Sequence, residues 1–135
     1  MLTSFRGLMA VTLATAGLSL ATPAMAQSED SGFTTSANVA LTTDYRFRGV
    51  SLSGGDPAIQ GGFDVAHDSG FYIGTWASSI KGGPSYGDVE LDLYAGWSGS
   101  LSDAVGIDVG VLYYMYPTED LGLDTDYIEP YASIS

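Results

Sequence analysis

The sequence predicts an all-β protein: an antiparallel, up-and-down transmembrane β-barrel, with residues 34–135 supplying its N-terminal six strands. Three observations predict it. Apolar and polar residues alternate in steps of two, and the parity persists through five successive segments, as when successive side chains point to opposite faces of a sheet. The segments run to about ten residues and are bounded by Gly, Ser, Asp or Pro, which is how bilayer-crossing strands read. An export signal precedes them.

That signal occupies residues 1–26. Arg6 is a positive n-region, Leu8 to Leu20 is uncharged and largely apolar, and Ala24-Met25-Ala26 is a small-residue cleavage site, with cleavage expected after Ala26. A transmembrane helix is the competing reading, but the stretch is short and is interrupted by Thr12, Thr15, Gly17 and Ser19. Residues 27–33 read as a mobile periplasmic leader. The chain has no Cys, so neither a disulfide framework nor a lipid-modified cysteine is expected.

The strands are expected at 34–50, 58–67, 71–80, 87–99, 104–116 and 125–135. In the first, odd positions from Ala37 through Val39 and Leu41 to Tyr45 and Phe47 face outward, and Asp44, Arg46 and Arg48 face inward. Ile59, Phe63 and Val65 continue the outward set, followed by Phe71, Ile73 and Ala77, then Leu91, Leu93 and Trp97, then Ile107, Val109, Val111 and Tyr113. The sixth strand swaps parity, turning Ile128, Pro130, Ala132 and Ile134 outward and Glu129 and Tyr131 inward. Connections alternate between tight and long, as between the two sides of an outer membrane, so the N-terminus is placed in the periplasm. Outward rings then fall at both interfaces: Tyr45, Phe47 and Tyr113 at the outer one, Phe71 and Trp97 at the inner one. On the other face the tightest hairpin registers set Trp76 beside Gly62, Tyr72 beside Gly96 and Tyr94 beside Gly74, rings that would cover bare backbone. Six strands are too few for a single-chain barrel, which has eight or more. The expectation is therefore the first part of a longer chain, or a barrel completed by several copies as a homo-oligomer.

With the leader removed, three basic residues face sixteen acidic ones, a net charge of −13. This argues against nucleic acid as a partner, because phosphate is repelled and no basic stripe exists. Outer-membrane lipid and small solutes are the expected partners, and the bacterial outer membrane the expected location.

The run from Val39 through Asp44-Tyr45-Arg46-Phe47-Arg48-Gly49-Val50-Ser51, followed by Pro57 to Asp64, resembles the opening of the TorF family of Gram-negative porins. Gly70 to Ser78 and Glu90 to Trp97 are similar to further segments of that family. The resemblance implies an outer-membrane barrel acting as a diffusion channel, without specifying a solute; family members are appreciably longer than this chain.

On the barrel reading Asp44, Arg46, Arg48, Asp64, Asp88, Glu90, Asp92 and Asp108 line the lumen, where charged walls set ionic selectivity. The bland alternative is a filled lumen in which the arginines only neutralise carboxylates. Glu119, Asp120, Asp124 and Asp126 form an acidic loop whose spacing does not match a calcium loop, and it reads as a solvated surface. His67, the sole histidine, sits beside a turn with Ser69 nearby, an arrangement lacking the orienting partner of a nucleophilic site. No catalytic residue, metal or cofactor is expected. The functional expectation is a porin-like channel passing small polar or cationic solutes. Its rivals are a non-conducting structural or adhesive barrel, and a soluble periplasmic ligand-binding barrel with its apolar face inside.

Overall fold

The computed structural model describes residues 20–27 and 31–135; the bulk of the expected signal, residues 1–19, lies outside them, as do residues 28–30 of the expected leader. In chain order the elements are β1 (Leu20–Gln27), β2 (Phe33–Thr42), β3 (Arg46–Phe47), β4 (Val50–Ser51), β5 (Ala58–His67), β6 (Phe71–Ser79), a one-turn helix α1 (Gly83–Tyr86), β7 (Val89–Ser102), β8 (Val105–Met115) and β9 (Tyr127–Ile134). β2, β5, β6, β7, β8 and β9 form one antiparallel sheet, each strand paired with the next, and β1 adds a seventh strand along the edge of β2. β3 and β4 make a separate two-stranded ribbon.

The fold is therefore all-β and antiparallel, as the period-two pattern requires, and the sheet is open, as six strands, too few for closure, implied. Among the described residues β9 pairs only with β8, and nothing joins it back to the first strands. Seven strands fall short of the eight that close the smallest single-chain barrels. The cleavage residues Ala24 and Ala26 lie within β1, opposite Ala37 and Thr35. Gln27 ends that strand and Phe33 begins β2, so the two ends of the expected leader belong to paired strands.

Register sorts the side chains by face. Ala40, Gln60, Ser78 and Glu90 lie in one row across β2, β5, β6 and β7. The next row is Asn38, Gly62, Trp76, Asp92, Tyr114 and Tyr127, and the one after it Ser36, Asp64, Gly74, Tyr94, Leu112 and Glu129. On the opposite face Val111 stands against Pro130 and Val109 against Ala132, which is the parity swap expected of the last strand.

The three ring–glycine pairs read from the sequence are the observed ones: Gly62 with Trp76, Gly74 with Tyr94 and Gly96 with Tyr72. A fourth, Gly110 with Tyr131, joins β8 to β9. A methyl group at Gly74 would collide with the Tyr94 ring, and one at Gly96 with the Tyr72 ring, so both rings lie directly on the backbone of the adjacent strand. This lets side chains reach far. Tyr94 on β7 passes over β6 to hydrogen-bond Asp64 on β5. Tyr72 on β6 donates to Asp108 on β8 at 2.6 Å and meets the Tyr131 hydroxyl on β9.

The first expected strand departs from the prediction. It stops at Thr42 instead of continuing to residue 50, because the side chains that follow close a loop. Asp44 accepts hydrogen bonds from the Ser51 hydroxyl at 2.6 Å, the Ser53 hydroxyl at 3.1 Å and the Arg46 Nε at 2.6 Å. The Tyr45 amide donates to Ser53 Oγ, and the Leu52 amide to the Tyr45 carbonyl. Arg48 and Gly49, both at positive φ (49° and 88°), turn the β3–β4 ribbon through a two-residue loop. Such loops demand left-handed backbone at both positions, a conformation glycine adopts freely and arginine only at some cost.

The glycine pairs make a test of packing. Gly74→Ala is expected to destabilise the refolded protein by about 1–3 kcal/mol in urea unfolding, with part of the loss recovered when Tyr94→Ala is added to it. An unchanged unfolding midpoint for Gly74→Ala would mean that the ring leaves the backbone without cost.

Candidate functional site

The sheet is dressed the opposite way from that of a soluble protein. Its apolar face is uncovered: Ile59, Phe71, Ile73 and Ile128 are each at least 60% exposed. Its polar face carries the buried groups, among them Gln60, Ser78, Glu90 and Asp92.

What buries them is the connection between β2 and β5. This segment folds back over the polar face and inserts Tyr45, whose hydroxyl donates to Glu90 Oε1 at 2.7 Å. The Tyr45 ring meets Trp76 edge-on at 5.4 Å. Around it gather Ala58, Ile80, Tyr114 and Tyr116, with Leu52, Trp76 and Leu112 packed alongside. The Lys81 amide donates to the Leu52 carbonyl at 2.7 Å and holds the segment down. Burial pushes the Tyr45 phenol up, with the Glu90 carboxyl adding to the effect, so this group stays a donor.

Two parts of the polar face result. One, under the folded segment, holds Glu90 and Asp92 among rings. The other, toward the β5–β6 turn, holds Asp64 and Asp108, each bound by a tyrosine hydroxyl, with Ser36 also donating to Asp64 at 3.4 Å. Asp64, Glu90, Asp92 and Asp108 thus share one face, as their parity requires.

Asp44, Arg46 and Asp88 do not join them, and Arg48 reaches that face only from a loop, through Glu129 of β9. With β2 ending at Thr42, Asp44, Arg46 and Arg48 belong to the folded segment: Arg46 pairs with Asp44, and Arg48 Nη2 reaches Glu129 Oε1 at 2.6 Å. The Arg48 guanidinium also lies 4.7 Å from the Phe47 ring centroid. Asp88 is exposed ahead of β7, where its amide donates to Thr118 Oγ1 at 2.8 Å. Ser51 first, then Arg46 and Ser53, holds the Asp44 carboxyl below its ordinary 3.8 against a smaller opposing effect of desolvation.

The aromatic girdles change accordingly. Tyr45 is buried instead of facing outward, and Phe47 packs edge-on against Tyr114 of the polar face at 6.2 Å. Phe71, Trp97 and Tyr113 do keep the apolar face. Phe71 stands opposite Trp97, whose indole N–H donates to the Ser69 carbonyl at 2.9 Å, and the Tyr113 hydroxyl donates to Asp126 at 2.9 Å. Sequence reasoning missed Tyr114, Tyr116 and Tyr127. Their even and odd positions around Pro117 were legible, but the fold-back of a distant loop onto them was not.

The acidic loop is knitted to itself. Glu119 Oε2 accepts from the Leu121 and Leu123 amides, and Asp126 Oδ1 from the Tyr116 amide. Among the described residues no three acidic or histidine side chains come together in a way that could hold a metal ion. His67 Nδ1 is engaged by the Ser69 amide at 3.1 Å and the Ser69 hydroxyl at 2.7 Å, within an exposed turn.

A family model described as "Bacterial protein of unknown function (Gcw_chp)" matches residues 26–135. The chain belongs to the Gcw_chp family. This corrects the resemblance to TorF porins, for which the family comparison gives no match. The segments Gly70 to Ser78 and Glu90 to Trp97 carry strand alternation and glycine–aromatic pairing, physical requirements that different sheets share. No curated protein and no solved structure matches the chain. The Gcw_chp match covers every described strand from β2 to β9.

Two outcomes check this geometry. Tyr45→Phe removes a donor from a buried carboxyl and is expected to cost about 1–3 kcal/mol in urea unfolding. A group whose pKa is depressed by folding stabilises above its unfolded value and loses that contribution as pH falls through the folded one. The Ser53 and Gly55 amide resonances should therefore stay fixed through neutral and mildly acidic pH and shift together only below pH 3.8, as Asp44 protonates.

Proposed function

We propose that the chain is exported and inserts into the bacterial outer membrane as part of a β-barrel. In this reading the apolar face meets lipid and the polar face lines a passive path for small polar or cationic solutes. The observation that carries it is the inverted dressing of the sheet, with isoleucines and phenylalanines outside and buried carboxylates on the covered face. A soluble sheet would expose its carboxylates and cover its isoleucines. Strand lengths support the same reading: β2 and β5 have 10 residues each, β6 has 9 and β8 has 11, near the number needed to cross hydrocarbon at a tilt.

The leader composition supports export, and the family match begins at residue 26, next to the expected cleavage point. Cleavage there would remove most of β1 and free the edge of β2 for another strand. Closure would come from further strands or from further copies, since an open edge is not tolerated in hydrocarbon. Selectivity would come from wall charge: Asp64, Glu90, Asp92 and Asp108 favour cations, and Arg48 is tied up by Glu129.

A second reading, a non-conducting barrel, is favoured by a specific observation: Tyr45, Trp76 and Tyr94 occupy the polar face, with Tyr45 donating to Glu90 and Tyr94 to Asp64. That barrel would serve as an anchor or adhesive scaffold through its long loops.

Reconstitution separates these readings. A channel gives stepwise conductance in planar bilayers and sugar-driven swelling of liposomes. A barrel that requires detergent for extraction yet shows neither would establish the non-conducting reading. Release by alkaline carbonate would overturn membrane insertion altogether.

A further inference from the structure

Glu90 and Asp92 stand two residues apart on β7, on the same face, and are only 1% and 4% exposed. Two side chains so placed start roughly 7 Å apart along the strand. Two buried carboxylates at that separation are neutralised either by protons or by a compensating positive charge. Among the described residues none is available: Arg46 is held by Asp44, Arg48 by Glu129 and Lys81 by Asp56. Glu90 is partly satisfied, because Tyr45 donates to its Oε1. Asp92 is not. Its Oδ1 is buried without any hydrogen-bond partner, an orphan acceptor on a charged group.

The surroundings suit one kind of occupant. Asp92 is flanked across the sheet by Trp76 on β6 and Tyr114 on β8, and the Tyr45 ring packs on Trp76. Aromatic faces attract cations and offer no donor to an anion. Tyrosine hydroxyls supply further oxygen. Calcium, which takes six to eight oxygens, and magnesium, which demands a near-ideal octahedron, are the competing occupants, and no third acidic or histidine side chain joins the pair among the described residues. The geometry points to a binding station for a monovalent alkali cation between Glu90 and Asp92, walled by Trp76 and Tyr114 and roofed by the Tyr45 segment. It deepens the channel reading, resting on the polar face being in contact with water. The station would be the point at which a permeating cation sheds part of its hydration shell.

The site carries its own reporter. Trp76 and Trp97 are the two tryptophans, and Trp97 lies on the apolar face, so Trp97→Phe leaves Trp76 alone beside Asp92. The experiment titrates potassium chloride against N-methyl-D-glucamine chloride at constant ionic strength, using the full-length Trp97→Phe protein refolded in detergent. Trp76 emission is the readout, and circular dichroism confirms the sheet. The expected result is a saturable change in emission that is abolished in Asp92→Asn and preserved in Asp64→Asn. The absence of any saturable response in that protein overturns the proposal. A response that survives Asp92→Asn in a folded protein also overturns it, as does one given by calcium and not by potassium. Binding is read without conduction, so a protein that binds potassium and passes no current would refute the channel while leaving the station intact.

Discussion

Rings laid on glycines set the shape of everything on the polar face. β6 and β9 are separated by three interstrand steps, about 14 Å along a flat sheet, yet Tyr72 and Tyr131 meet through their hydroxyls. Each ring reaches that far because the neighbouring strand offers Gly96 or Gly110, where a side chain would otherwise stand in the way. Tyr94 crosses Gly74 to Asp64 by the same device. The polar face is thereby tied laterally, strand to strand, by charge-assisted hydrogen bonds that add to the backbone ladder. A sheet whose apolar face packs against no second layer has no hydrophobic core of the usual kind, and these lateral ties take over part of that role.

The second consequence concerns the folded segment. Near the β5–β6 turn the tyrosines satisfy Asp64 and Asp108 locally, but at the opposite end Glu90 would face water on a bare sheet. The segment after β2 supplies what the strands lack there. Asp44 gathers Ser51, Ser53 and Arg46, and the closed loop delivers Tyr45 onto Glu90. The buried cluster, with Ala58, Ile80, Tyr114 and Tyr116, is assembled from the ends of strands and the loops beyond them. It lies under a loop and not between layers.

Membership in the Gcw_chp family places the chain among bacterial proteins without assigning it an activity, so the functional argument rests on chemistry. Uncovered isoleucine and phenylalanine on one face and buried, hydrogen-bonded carboxylates on the other form a pairing that water alone does not favour. The basic residues add to the asymmetry. Of the three in the described part, Arg46 and Lys81 are spent on loop carboxylates and Arg48 on Glu129 of β9, which leaves Glu90 and Asp92 without a protein counter-charge.

The sequence by itself determined the faces of the strands from β2 onward and the place of β5 to β9. Period-two alternation is a local property, and a one-residue slip would move every apolar side chain to the wrong side. The pairings Gly62–Trp76, Gly74–Tyr94 and Gly96–Tyr72 were legible for the same reason, since tight turns set the register of the hairpins they join. Only the tertiary structure decided the fate of residues 43–57. There the alternation continues through Tyr45, Phe47 and Arg48, and nothing local distinguishes a strand that runs on from one that stops. The deciding contacts are distant in sequence: Tyr45 with Glu90, Arg48 with Glu129 and Leu52 with Lys81. A period assigns a side chain to a face, but it cannot count the partners waiting on that face. Asp92, without a hydrogen bond to its buried oxygen, became visible only when the loop had closed over it.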